Sequence, residues 1–270
     1  MIVHVFDVSH GECVVVETPN GKLVMLGAAD NPLTGWSPSR MLELAGRRPD
    51  LLVLTNFDKD HLSDLPNFKP NMRPRFIYRN YDINTDGVIS AKQRLHGEVS
   101  PGVAQAVAWT QNIFTGPRVS NDYGMQISHF SNHPNDFGYE DTNNLSVVTF
   151  LGYNGVGVLN CSDIERAGLL KLLENPGFRT ALTNTNVIIA PHHGRENGYC
   201  EEIFQYVRPD LVIVSDKPIV HATQAHNLYA RHVRGVQFPN GLRRVLTTRN
   251  DGKMTIKVTG PSDYQVHKER

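Results

Sequence analysis

A chain of 270 residues, 40% hydrophobic and 20% charged, is long enough to bury a sizeable core, as one large domain or two small ones. Lys plus Arg and Asp plus Glu each number 27, so no global field draws the protein to nucleic acid or an anionic membrane, and any nucleic-acid contact has to be local. No signal-peptide pattern opens the chain, and no apolar run approaches membrane-spanning length.

The first 27 residues read as a β-meander: IVHVFDV, CVVVETP, a Pro-Asn-Gly turn at 19–21, then KLVML. A helix is predicted from Ser37-Pro38 to about Gly46. LLVLT, at 51–55, is continuously apolar and suits a strand buried on both faces. From about 69 to 143 the pattern weakens, with RFIYR and MQISHF as strands and 101–115 as a helix. LSVVTFL and VGVLN then form a hairpin, and Asp163 opens the amphipathic helix IERAGLLKLLEN. NVIIA is a strand, YCEEIFQYV a helix, DLVIVS a strand and 223–234 a helix. RRVLTT and KMTIKV are expected to close the chain as a hairpin across Asn250-Asp251-Gly252. Strands and helices mix throughout, with no repeat or linker, which gives one α/β domain over 1–270: two sheets covered by helices, with 69–143 as a polar insertion, a lid or substrate platform. Cys13, Cys161 and Cys200 lie scattered and read as reduced, buried thiols, so the expected location is cytoplasmic, away from any membrane.

Three strand ends carry metal-ligand residue types, and side chains at the carboxyl ends of buried strands converge on a cleft. Asn56, Asp58, Asp60 and His61 follow LLVLT, Asp163 follows VGVLN, and His192-His193-Gly194 follows NVIIA. Each has an alternative: Asp163 as an N-cap, the histidines as hydrogen-bonded core or surface groups. Together they point to a divalent-metal site, with His193 orienting His192. His221, after LVIVSDKP, is either a proton donor or phosphate ligand, or a helix-start histidine. His129 and His133 are spare ligands or structural residues.

Residues 82–93, DINTDGVISAKQ, match a calcium loop at Asp82, Asn84, Asp86 and Gly87, but Gln93 stands where a bidentate Glu belongs. A tight turn explains the same residues. Between 69 and 120, seven basic residues, Arg75, Arg79, Lys92 and Arg118 among them, face three acids and interleave with Tyr78, Tyr81 and Trp109. That is either a solvated basic face or a surface that steers a nucleic-acid strand.

Taken in order, these strings resemble the metallo-β-lactamase fold, whose signature is T-H-x-H-x-D-H, then an Asp, then a late His. Within it they are most similar to the hydrolase domain of ComEC-type DNA-uptake proteins. Asp7-Val8-Ser9-His10-Gly11-Glu12 resembles D-V-G-Q-G-D, Leu159-Asn160-Cys161-Ser162-Asp163 resembles L-L-T-G-D, His192-His193-Gly194-Arg195 resembles H-H-G-S, and Asn143-Asn144-Leu145-Ser146 resembles N-x-x-S. The resemblance implies an αββα sandwich and a binuclear site. Asp60, His61 and His192 would hold one Zn²⁺ or Mn²⁺, and Asp163 would bridge to a second ion held from positions 56 and 58. Under this fold Asp58, Asp60 and Asp163 would converge, and their mutual repulsion calls for a cation. Metal-activated hydroxide would attack a phosphodiester, assisted by Asp58, His193 or His221, with Arg75, Arg79 and Asn144 towards the substrate. Asn56 and Gly27 depart from the pattern, as do Ser9, Glu12 and Ser162, and they weigh against the second metal. The other reading is a weak or inactive relative that serves as a binding subunit with a separately encoded partner.

Overall fold

A computed structural model of the chain describes residues 1–115, 122–218 and 223–269. Strands form at the short runs of aliphatic and β-branched residues. The first are β1 (Ile2–Val5), β2 (Val14–Glu17), β3 (Leu23–Leu26), β4 (Leu51–Val53) and β5 (Phe76–Tyr78). Next come β6 (Gln126–Phe130), β7 (Val148–Tyr153), β8 (Val156–Asn160), β9 (Val187–Ile189) and β10 (Leu211–Val214). A small ribbon, β11 (Val236–Phe238) with β12 (Gly241–Arg243), precedes β13 (Val245–Thr247), β14 (Lys253–Gly260) and β15 (Asp263–Glu269). One sheet has the order β15-β14-β1-β2-β3-β4-β5, the other β13-β10-β9-β8-β7-β6. Both are mixed: β3, β4 and β5 run parallel, as do β8, β9, β10 and β13.

Alternation along each strand sorts the side chains into three cores. Val14, Val16, Leu26 and Val53 meet Val187, Ile189, Leu211 and Ile213 between the two sheets. Val15, Met25 and Leu52 point the other way, beneath the helices Pro38–Ala45, Thr85–His96 and Pro101–Asn112. Ile188, Val212 and Val214 leave the second sheet beneath Arg166–Leu172, Pro176–Thr183 and His226–Ala230. Runs such as LLV and VII are apolar at every position because both faces of these strands are covered. Each fully buried aliphatic side chain contributes about 1.5–3 kcal/mol. The result is an αββα sandwich, and among the described residues no helix is long and apolar enough to cross a membrane.

Local signals decide most boundaries. Ser37 caps Pro38–Ala45 by accepting from the Arg40 amide, and Gly46, at φ 59°, ends it. The stretch 69–143 threads both layers, giving β5 to the edge of one sheet and β6 to the edge of the other.

Three expectations are corrected. YCEEIFQYV forms only the 3₁₀ turn Glu201–Gln205, and the helix expected over 223–234 is confined to His226–Ala230. The final hairpin is β14 with β15, because Asn250, Asp251 and Gly252 finish a helical turn instead. Thr247 accepts from the Asn250 amide and Asp251 accepts from the Thr247 amide, so β13 stays with β10 while β14 crosses to β1. The calcium loop is absent as well: Asn84 caps the helix Thr85–His96, which takes up most of 82–93 and cannot wrap an ion.

Candidate metal centre

The carboxyl ends of β4, β8, β9 and β10 meet at one edge of the sandwich. Past β4, the short helix Lys59–Leu62 presents Asp60 and His61. Past β8, Ser162 turns through the left-handed region at φ 52° and presents Asp163. Past β9, His192 and His193 are left-handed in succession, at φ 47° and 54°. A non-glycine residue held there costs on the order of 1–3 kcal/mol and persists where its surroundings fix it. Here the His192 amide donates to the Ser162 carbonyl at 2.9 Å.

Asp60, His61, Asp163 and His193 each offer one ligand atom, all within 4.8 Å of one another, and only Asp60 keeps substantial contact with solvent. Nε2 of His61 lies 3.0 Å from Asp163 Oδ2. Nε2 of His193 lies 3.3 Å from Asp163 Oδ1 and 3.5 Å from Asp60 Oδ2. Both nitrogens are buried, yet neither is aligned for a hydrogen bond. The opposite ring nitrogens are held from behind: His61 Nδ1 by Glu12 Oε2 at 3.2 Å and Thr55 Oγ1 at 3.1 Å, His193 Nδ1 by the Ser215 carbonyl at 3.2 Å. Thr55 itself donates to Glu12. Outer partners of this kind fix the tautomer and turn the Nε2 lone pairs inward. Two imidazoles and two carboxylates around a common point, with buried nitrogens facing it and no aligned hydrogen bond to hold them, fit a divalent metal ion.

Charge tells the same story. Burial works against the imidazolium of His193, but Asp163 and Asp60 outweigh it and carry the group up to about 10. His61 is likewise raised despite burial, by Asp163 above all. Burial would raise Asp60, yet His193 and His61 bring it down to about 2, and Asp163 is likewise held well below the usual carboxylate range against the same penalty, by His61 and His193. The pocket therefore collects positive charge, as protons or as a metal.

The other expected residues go elsewhere. His192, expected as the ligand, places Nδ1 3.2 Å from Glu165 Oε1, because the left-handed pair swings its neighbour His193 into the cluster instead. Asp58 does not join the three-carboxylate group expected of it: the buried Lys92 ammonium pairs with one oxygen, and Thr142 donates to the other at 3.2 Å. Asn56 is buried, donating to Asn143 Oδ1 at 3.2 Å while its own oxygen accepts from the Phe57 amide at 2.6 Å. Gly27 adopts φ +68°, and a Cβ there would sit 2.5 Å from the Glu12 carbonyl, so the backbone at that strand end requires glycine.

Arg75 pairs with Asp50 at 3.1 Å, and Arg79 donates to the carbonyls of Asn80 and Ile83 at 2.9 Å. Asn144 is buried and accepts from the Gly168 amide at 2.7 Å, a structural role. His129 stacks on Tyr78 with centroids 3.8 Å apart, and burial lowers its pKa to about 3. His133 caps the turn Pro134–Phe137. His221 and Arg118 lie outside the described residues.

Sequence reasoning passed over four partners of the cluster and of the displaced residues His192 and Asp58. His10 sets its ring centroid 4.2 Å from that of His193, tilted by 44°, and its Nε2 3.4 Å from Asp60 Oδ2. Its pKa falls to about 4, through burial first and then the nearby positive charge of His193. Arg195 brings Nη2 to 3.4 Å from His10 and Nη1 to 3.5 Å from His192 Nε2. Glu165 and Lys92 are the others. For His10 and Arg195 the signal was their place inside the quoted motifs; Lys92 had none.

No family model matches this sequence, and no curated protein matches it. Among solved structures, the metallo-β-lactamase-fold protein YhfI from Bacillus subtilis is similar, with a TM-score of 0.50 and 10% identity over 98% of this chain and 99% of its own. With two mixed sheets face to face, helices outside and an Asp/His cluster at the strand ends, this chain has the metallo-β-lactamase fold.

Proposed function

We propose that the protein is a metal-dependent phosphodiesterase of the ComEC-like kind, acting on nucleic acid with one Zn²⁺ or Mn²⁺ held by Asp60, His61, Asp163 and His193. The observation that carries this reading is the pair of buried Nε2 atoms of His61 and His193, facing two carboxylates without an aligned hydrogen bond. When bound, the ion supplies Lewis acidity, bringing the pKa of water towards about 7 and polarising a phosphoryl oxygen. Glu12, Thr55 and the Ser215 carbonyl hold the two rings in register. Asp60 opens the cluster towards solvent, where His10 and Arg195 stand. Asp58 drops out as a proton carrier because Lys92 neutralises it. Phosphodiester chemistry and a cytoplasmic setting come from the sequence resemblance and composition.

A second reading, a weak or inactive subunit that binds nucleic acid or a separately encoded protein, is favoured by the Asn56–Asn143 and Asp58–Lys92 pairings. These occupy the two positions from which a second ion would be held. Metal analysis after incubation with Zn²⁺ or Mn²⁺, followed by cleavage assays on DNA and on bis(p-nitrophenyl) phosphate, separates the readings. Expected are one equivalent of metal, and for Asp60→Ala and His193→Ala loss of that metal with activity down by more than the roughly 10–100-fold typical of outer residues. A protein that stays metal-free, or variants as active as the wild type, would leave the subunit reading.

A further inference from the structure

Beside the cluster stands a cation that the metal reading does not use. Among the described residues Arg195 makes no ion pair; its guanidinium meets the Nε2 atoms of His192 and His10 at 3.4–3.5 Å. Imidazole nitrogens can accept from it but carry no negative charge to neutralise it. The other acids nearby are already engaged: Glu165 by Asn143 and Asn197, Asp60 and Asp163 by the cluster histidines.

The arginine is also held in place. Its amide donates to the His192 carbonyl at 3.1 Å, and its backbone forms a bridge with Gln224, flanked by Glu196 N to Thr223 O and Ala225 N to Gly194 O at 2.8 Å. It follows directly on the left-handed pair His192–His193 and Gly194, so the turn that aims His193 at the cluster also sets Arg195 at its rim. His10 spans the gap, with one nitrogen 3.4 Å from both Arg195 Nη2 and Asp60 Oδ2.

We propose that Arg195, framed by His10 and His192, is an anion subsite at the mouth of the cluster that takes a phosphoryl group of the substrate. A phosphate ester carries two or more equivalent oxygens on one atom. One can face the Asp60/His61/Asp163/His193 cluster while another meets the guanidinium, which presents paired N–H donors suited to such a group. Neutral esters and lactones lack that second oxygen charge and gain nothing from Arg195, so the subsite selects phosphate esters. This deepens the metal-dependent reading and rests on it for the catalytic consequence, but not for the binding itself.

The test uses the whole protein, Zn²⁺-loaded and metal-free, with Arg195→Gln and Arg195→Lys. Binding of inorganic phosphate is measured by calorimetry, and turnover of bis(p-nitrophenyl) phosphate is set against that of neutral p-nitrophenyl acetate. The Gln variant is expected to bind phosphate about tenfold more weakly or worse in both metal states, the scale of one charge-assisted contact. It should raise KM for the phosphodiester, leave the neutral ester and the metal content unchanged, and be partly rescued by Lys. Equal phosphate affinity in wild type and Arg195→Gln would overturn the proposal. A protein that takes no metal but loses phosphate binding in the Gln variant would sustain the subsite while removing the hydrolase reading. Full activity with an unchanged Gln variant would do the reverse.

Discussion

At the scale of residues, the cluster is an arrangement of opposed charges whose balance depends on pH. His61 and His193 are raised, so without metal their contribution to stability is whole below the ordinary histidine value of 6.5 and is lost as pH climbs through about 10, where His193 titrates. Asp60, lowered to about 2, contributes fully above its ordinary 3.8 and loses that only as pH falls towards 2. His10 and His129 are shifted down by burial, to about 4 and about 3, so each favours the fold fully above 6.5 and costs stability as pH falls below it. Metal-free protein should therefore be most stable near pH 6.5, declining on both sides. Metal removes the alkaline decline, because the imidazoles are then held neutral as ligands. Urea midpoints between pH 6.5 and about 10, with chelator and with Zn²⁺, check this; a flat profile in chelator would contradict it.

Between elements, the informative contact is Lys92 on Thr85–His96 with Asp58 at the start of Lys59–Leu62. The strand ends were legible in the sequence because LLVL, VGVL and VII are apolar at every position and each is followed a few residues on by Asp or His. Two things were not legible. Whether His192 or His193 turns inward depends on a left-handed backbone that no residue type announces. That Asp58 is neutralised depends on a lysine 34 positions on, which in the sequence reads as one more basic residue of the stretch 69–120. Removing Lys92 leaves a largely buried carboxylate unpaired, so Lys92→Met should destabilise by about 3 kcal/mol, the low end for a broken buried pair because Asp58 keeps some water. Pairing it with Asp58→Asn should recover most of the loss. Denaturant midpoints of the two singles and the double give the coupling, and additive effects would show that the pair is idle.

Across the whole molecule, the sandwich and its three cores follow from the apolar runs. The route of the last strands does not, since β13 and β14 look alike in sequence and part into different sheets. The site spans that architecture. Asp60 and His61 follow a strand of one sheet, whereas Asp163 and His193 follow strands of the other. An ion bound there joins both sheets and stabilises the entire fold by about 2.7 kcal/mol at a hundredfold excess over Kd. Zn²⁺ should thus raise the thermal midpoint of the wild type by several degrees and leave His193→Ala unmoved; an equal rise in both would place the ion elsewhere.

The left-handed turn at His192–His193 has a consequence in time as well as in space. During synthesis, the first two ligands leave the ribosome more than a hundred residues before the last. Until that turn has closed on Ser162, the emerging polypeptide has an open, three-sided nest of acids and one histidine. With the ion held as proposed, its capture has to wait for that turn, and a truncated translation product ending before residue 193 would carry five of the seven strands of the first sheet and yet lack the last member of the cluster.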